Sequence, residues 1–64
     1  MKFRIENMTC GGCARSVTAT IKELDQNAIV NIDIESKWVE VQSSVPEQDI
    51  IDALQEDGFP PVFD

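Results

Sequence analysis

The spacing of apolar residues changes character across one short junction, and that change restricts the fold more than any other property of the chain. From Lys2 to Glu6 the apolar residues Met1, Phe3 and Ile5 alternate with Lys2, Arg4 and Glu6, the two-residue period of a half-buried strand. From Cys13 onward Ala14, Val17, Ile21 and Leu24 recur every three or four residues. This spacing predicts a helix from Gly12 or Cys13 to Leu24, ended by Asp25-Gln26-Asn27. Between the two patterns lies Met8-Thr9-Cys10-Gly11-Gly12-Cys13, which holds both cysteines of the chain.

The alternation returns in Val30, Ile32 and Ile34 and again in Val39 and Val41, on either side of the polar turn Glu35-Ser36-Lys37, which predicts a hairpin. A second helix follows. Ser44 and Glu47 are spaced as a capping box with Pro46 in the first turn, or Val45 is the capping residue instead. Its buried stripe is Ile50, Ile51, Ala53 and Leu54, and Gly58 is placed to end it in a left-handed conformation. Pro60-Pro61-Val62-Phe63 completes the order as a short strand. Two prolines cannot donate ladder hydrogen bonds, so this strand is expected at a sheet edge or only after them.

The predicted order is β-α-β-β-α-β, which fits an α+β, ferredoxin-like sandwich with two helices on one face of a four-stranded antiparallel sheet. With 64 residues the chain is expected to form one domain, residues 1–64, whose marginal core leaves no room for a deep substrate cavity. Phe3, Ile5, Val17, Ile21, Val39, Val41 and Leu54 are the expected core. Trp38 should lie on the open sheet face as a cross-strand packing residue.

Charge and composition narrow the function. Twelve acidic side chains against five basic ones give a formal net charge of -7, which repels nucleic acid and anionic lipid and suits a soluble partner with a basic face. No apolar run approaches the roughly 18 to 20 residues that span a bilayer, and the N-terminus lacks a signal-peptide pattern, so a cytoplasmic protein without membrane insertion is expected. The acidic run Glu47, Asp49, Asp52, Glu56 and Asp57 reads as a solvated helix face, because its spacing does not converge like a calcium loop.

With no histidine in the chain, sulfur is the main candidate for special chemistry. Cys10 falls in the loop and Cys13 near the first turn of the helix, where free backbone N–H groups and the positive end of the dipole favour a thiolate. Two thiolates without an imidazole suit Cu(I), which accepts two sulfurs in near-linear geometry, whereas structural zinc wants four ligands. The same cysteine spacing occurs in small dithiol oxidoreductases, although 64 residues leave little room for such a fold.

The loop and its place between the first strand and first helix resemble the heavy-metal-associated domain family, which includes copper chaperones and the amino-terminal metal-binding domains of copper-transporting P-type ATPases. The resemblance covers essentially the full length. It implies Cu(I) ligation by Cys10 and Cys13, with Met8 packed beneath the loop in a supporting role and Thr9 as in the copper branch, the mercury-binding relatives sharing the loop. It further implies a carrier and not an enzyme, which passes Cu(I) by ligand exchange to a metal-binding domain of a copper ATPase and admits a copper-bridged homodimer. The alternative within the family is a domain of the ATPase itself, and a chain that runs from Met1 to Asp64 favours the free carrier. Asn7 stands where the family often has glycine, and Phe59 where bacterial chaperones carry tyrosine and eukaryotic ones lysine. Arg15 and Lys22 are the cations available to offset a negative bis-thiolate complex.

Overall fold

The computed structural model describes residues 1–63. Its elements run β1 (Lys2–Arg4), α1 (Gly11–Leu24), β2 (Ile29–Asp33), β3 (Trp38–Gln42) and α2 (Glu47–Glu56). The sheet is antiparallel in the order β1-β3-β2. Phe3 and Ile32 face Val39, and Val30 faces Val41, so the apolar positions of all three strands share one face. Val17 and Ile21 of α1 and Ile50 and Leu54 of α2 are buried in the same cluster as those strand residues. Each fully buried large side chain contributes about 1.5–3 kcal/mol of transfer free energy, the main stabilising term in so small a domain.

The seven expected core residues are all buried, together with Met8, Ala28 and Ile50. On the opposite face Lys2 pairs with Glu40 and Arg4 with Trp38. Trp38 is half-buried there, with Lys2 Nζ 5.0 Å and Arg4 Cζ 5.7 Å from its ring centroid. Two cationic side chains thus cover the indole on the open face, and its packing is cross-strand as expected.

Among the described residues the sheet has three strands where the periodicity predicts four. Val62 and Arg4 exchange two backbone hydrogen bonds of 2.7 and 2.9 Å, an isolated bridge beside β1. Pro60 and Pro61 have no N–H to extend it, so the expected last strand shrinks to one bridged residue at the sheet edge. The hairpin is also shorter than its apolar pattern. Asp33 Oδ1 accepts the N–H groups of Glu35 and Ser36 at 3.1 and 3.4 Å, which ends β2 at Asp33 and leaves Ile34 in the turn and exposed. The first strand ends at Arg4, although Ile5 N–H still donates to Lys37 O at 3.0 Å.

The capping box at Ser44 and Glu47 does not form, and Val45 does not cap either. Pro46 occupies the N-cap of α2 without a side-chain cap, since a proline side chain has no hydrogen-bonding atom, and the nearby Ser43 Oγ is engaged elsewhere. It accepts the Val45 N–H at 3.1 Å and donates to Asp25 Oδ2 at 2.7 Å. That bond and the Asn27 N–H hold the Asp25 carboxyl below the usual carboxylate range. Glu47 and Asp49 in the first turn complement the helix dipole instead.

At the other end of α2 the Gly58 N–H donates to Gln55 O at 3.1 Å and the Phe59 N–H to Leu54 O at 2.8 Å, a Schellman arrangement that needs a left-handed residue. Gly58 supplies it, with φ 88°. A Cβ at this position would meet nothing within 4 Å, so Gly58→Ala carries a backbone cost and no steric one. We expect a loss of about 1 kcal/mol, which for a domain of this size lowers the melting temperature by about 4–8 °C. An unchanged thermal unfolding curve would show that the chain turns here without needing glycine.

Candidate metal centre

The sulfur pair is built by the start of α1. Cys10 is its N-cap residue, in extended backbone conformation (φ -155°, ψ 170°), and its carbonyl accepts the Ala14 N–H at 3.2 Å. The helix begins at Gly11, one residue before the expected boundary, which places Cys13 inside the first turn. Residues three apart on a helix share a side, and the two Sγ atoms lie 3.4 Å apart. Both cysteines are free. Cys10 is exposed, whereas Cys13 is half-buried with its stem against the core.

Hydrogen bonding from the Thr9 backbone, and next from the Cys10 side chain, holds the Cys13 thiol below its usual pKa, against the opposing effect of desolvation. This sulfur therefore reaches the thiolate, its metal-binding and nucleophilic form, more readily than an ordinary thiol. Thr9, which offers no carboxylate, acts here through its main chain. Among the described residues no group of three or more His, Cys, Asp or Glu side chains converges, so the donor set at this tip is two sulfurs. The acidic run on α2 stays dispersed. Asp52 accepts from Gln48 Nε2 at 2.8 Å, and Asp57 accepts from the Thr20 hydroxyl.

Beneath the pair, Met8 is fully buried and its N–H donates to Ile5 O at 3.1 Å. A flexible thioether fills this irregular corner of the core well. Asn7 does more than replace a glycine: its Nδ2 donates to Gly58 O at 3.0 Å and ties the cysteine loop to the end of α2. Phe59, set by the Schellman turn, is half-buried and packs on the core. The sequence does not single out this tie, because Asn7 and Gly58 are 51 positions apart.

Arg15 is also closer to the loop than its spacing suggests. A Cβ on Gly11 would stand 3.7 Å from Arg15 Nη1, and one on Gly12 would stand 3.7 Å from Cys10 Sγ and 3.9 Å from Arg15 Nη2. Residues two apart on a helix do not face each other, but long side chains lean toward the helix N-terminus, and that tendency is the signal that locates Arg15. Lys22 lies a full three turns away in the last turn of α1, where its charge complements the dipole.

Comparison with known proteins agrees with this architecture. The chain is 42% identical over 38 residues to the copper transport protein ATOX1 homolog of Dictyostelium discoideum, a match spanning 59% of this chain and 57% of that protein. It is 30% identical over 60 residues to the copper chaperone CopZ of Bacillus subtilis, covering 89% and 87% of the two chains. Among solved structures, a gold-binding protein superimposes with a TM-score of 0.93 at 48% identity, covering 97% of this chain and 95% of that one. The model of the heavy-metal-associated domain matches residues 2–60, and the protein belongs to that family.

Proposed function

We propose that the protein is a single heavy-metal-associated domain, residues 1–64, that binds one Cu(I) through Cys10 and Cys13 and hands it on by ligand exchange. The observation that carries this reading is the pair of free sulfurs 3.4 Å apart at an exposed tip, with no third donor converging among the described residues. A two-sulfur set satisfies a soft monovalent ion and leaves zinc short of its usual four ligands. With metal–sulfur bonds of roughly 2.3 Å, as in zinc thiolates, a linear unit needs sulfurs roughly 4.6 Å apart. The exposed Cys10, outside the body of the helix, is the one that swings outward.

Release follows from the same low coordination. An acceptor thiolate adds to the exposed ion, a three-sulfur intermediate forms, and Cys10 and Cys13 are displaced in turn, so the exchange requires neither a general acid nor a general base. The role is that of a carrier, not an enzyme. The proposed acceptor is a metal-binding domain of a copper-transporting P-type ATPase, reached in the cytoplasm, and the net charge of -7 suits an acceptor with a basic face. The copper proteins named among the relatives support this assignment.

The test is anaerobic titration with Cu(I) against a chelator, with Zn(II) in a parallel competition. We expect one Cu(I) per monomer and weaker Zn(II) binding. Equal or tighter zinc binding would overturn copper selectivity. A second reading is favoured by the 48% identity to a gold-binding protein along nearly the whole chain. Au(I) is another soft ion that takes two sulfurs in a line, and displacement of Cu(I) by stoichiometric Au(I) in the same titration would favour it.

A further inference from the structure

The chain has five basic side chains, and four are engaged away from the sulfur pair. Lys2 and Arg4 cover Trp38, Arg4 also pairs with Glu6 at 3.3 Å, and Lys37 Nζ donates to Glu6 O at 3.1 Å. Lys22 sits in the last turn of α1, at the far end of the helix from the sulfurs, where its charge complements the dipole. The fifth, Arg15, has no carboxylate partner among the described residues despite twelve acidic side chains in the chain. Its guanidinium folds back across Gly11 and Gly12 toward the N-terminus of α1.

That position is electrostatically unfavourable for a cation considered alone, because the positive end of the helix dipole lies there. A monovalent ion held between two thiolates at the same helix end leaves one net negative charge there and reverses the sign. One Gly12 Cβ position is 3.7 Å from Cys10 Sγ and 3.9 Å from Arg15 Nη2, so the guanidinium and the sulfur lie within one Debye length, about 8 Å at physiological ionic strength. We infer that Arg15 is a positioning residue whose fixed charge biases the Cys10–Cys13 pair toward monovalent over divalent soft ions. This inference rests on the reading of the pair as a metal site.

Charge balance distinguishes the two kinds of ion. Two thiolates around a monovalent ion carry one net negative charge, and around a divalent ion they carry none. A neighbouring guanidinium attracts the first complex and gains nothing from the second. Arg15 is exposed, so the effect is screened by salt and amounts to a few-fold in affinity.

The experiment measures Cu(I) and Zn(II) affinities by chelator competition for the full chain and for Arg15→Gln, Arg15→Lys and Arg15→Glu. At low ionic strength Arg15→Gln should weaken Cu(I) about three- to fivefold and leave Zn(II) within about twofold, so that the selectivity ratio falls. Arg15→Glu should lower the ratio further, Arg15→Lys should restore most of it, and the differences should shrink in high salt. Metal-free Arg15→Gln should melt no lower than the parent chain, since it removes a cation from the wrong end of a helix. Equal weakening of both metals, or a ratio that salt and Arg15→Glu leave unchanged, overturns the inference while the carrier reading stands. A parent chain that takes no Cu(I) overturns both.

Discussion

Cys10→Ser and Cys13→Ser are each expected to abolish high-affinity Cu(I) binding while leaving the fold intact. Structural zinc sites with four ligands gain about 10–16 kcal/mol, or roughly 2.5–4 kcal/mol per ligand, and each 1.4 kcal/mol is a factor of ten in affinity. Loss of one of only two donors should therefore weaken binding by at least about a hundredfold. Removal of either sulfur leaves no substitute, because no third histidine, cysteine or carboxylate converges on the site among the described residues. Cys10 is exposed and caps the helix only through its carbonyl, so Cys10→Ser should melt with the parent chain. Cys13 packs partly on the core, and its serine variant should lose somewhat more stability. Chelator competition and thermal unfolding on the same samples separate the two effects. Retention of stoichiometric Cu(I) by either single variant at parental affinity would remove the two-sulfur centre from consideration.

Much of the candidate site's geometry was legible because it is local. The cysteine spacing, the glycines between them and the switch from two-residue to helical periodicity lie within a dozen positions, and helix geometry alone brings the sulfurs together. The core was legible for a similar reason: strand alternation and the helical stripe identify most of the inward residues, although Leu24 and Ile34 at the ends of their patterns are exposed and Ile51 and Ala53 are only half-buried. Features that arise from competition between neighbouring groups were not legible. Asp33 captures two N–H groups and shortens the hairpin, α2 starts at Pro46, whose side chain cannot cap it, and two prolines reduce the last strand to a single bridge. Contacts between distant positions escaped as well. The Asn7 tie to Gly58 O and the guanidinium of Arg15 over the cysteine loop depend on tertiary geometry that no periodicity encodes.

Met8→Ala is expected to be among the most damaging single substitutions, although Met8 donates nothing to the metal in the proposed mechanism. Its side chain is fully buried two residues before Cys10, in the same cluster as Phe3, Ile5 and Leu54, with Cys13 and Phe59 packed against that cluster. Truncation of a buried methionine to alanine costs about 2–5 kcal/mol through lost transfer energy and the cavity left behind. A domain of this size is stable by only about 3–10 kcal/mol, so the loss is a large fraction of the total and should lower the melting temperature by at least about 10 °C. Met8→Leu, close in volume and equally apolar, should cost less than about 1.5 kcal/mol. The two variants also separate support from ligation. If the thioether only props the loop, Met8→Leu keeps parental Cu(I) affinity. A loss of affinity in Met8→Leu as large as in Cys10→Ser would instead make the buried sulfur a third donor and would require the loop to open far more than the 3.4 Å pair suggests. Cu(I) competition on Met8→Leu, with unfolding curves for both variants, decides between them.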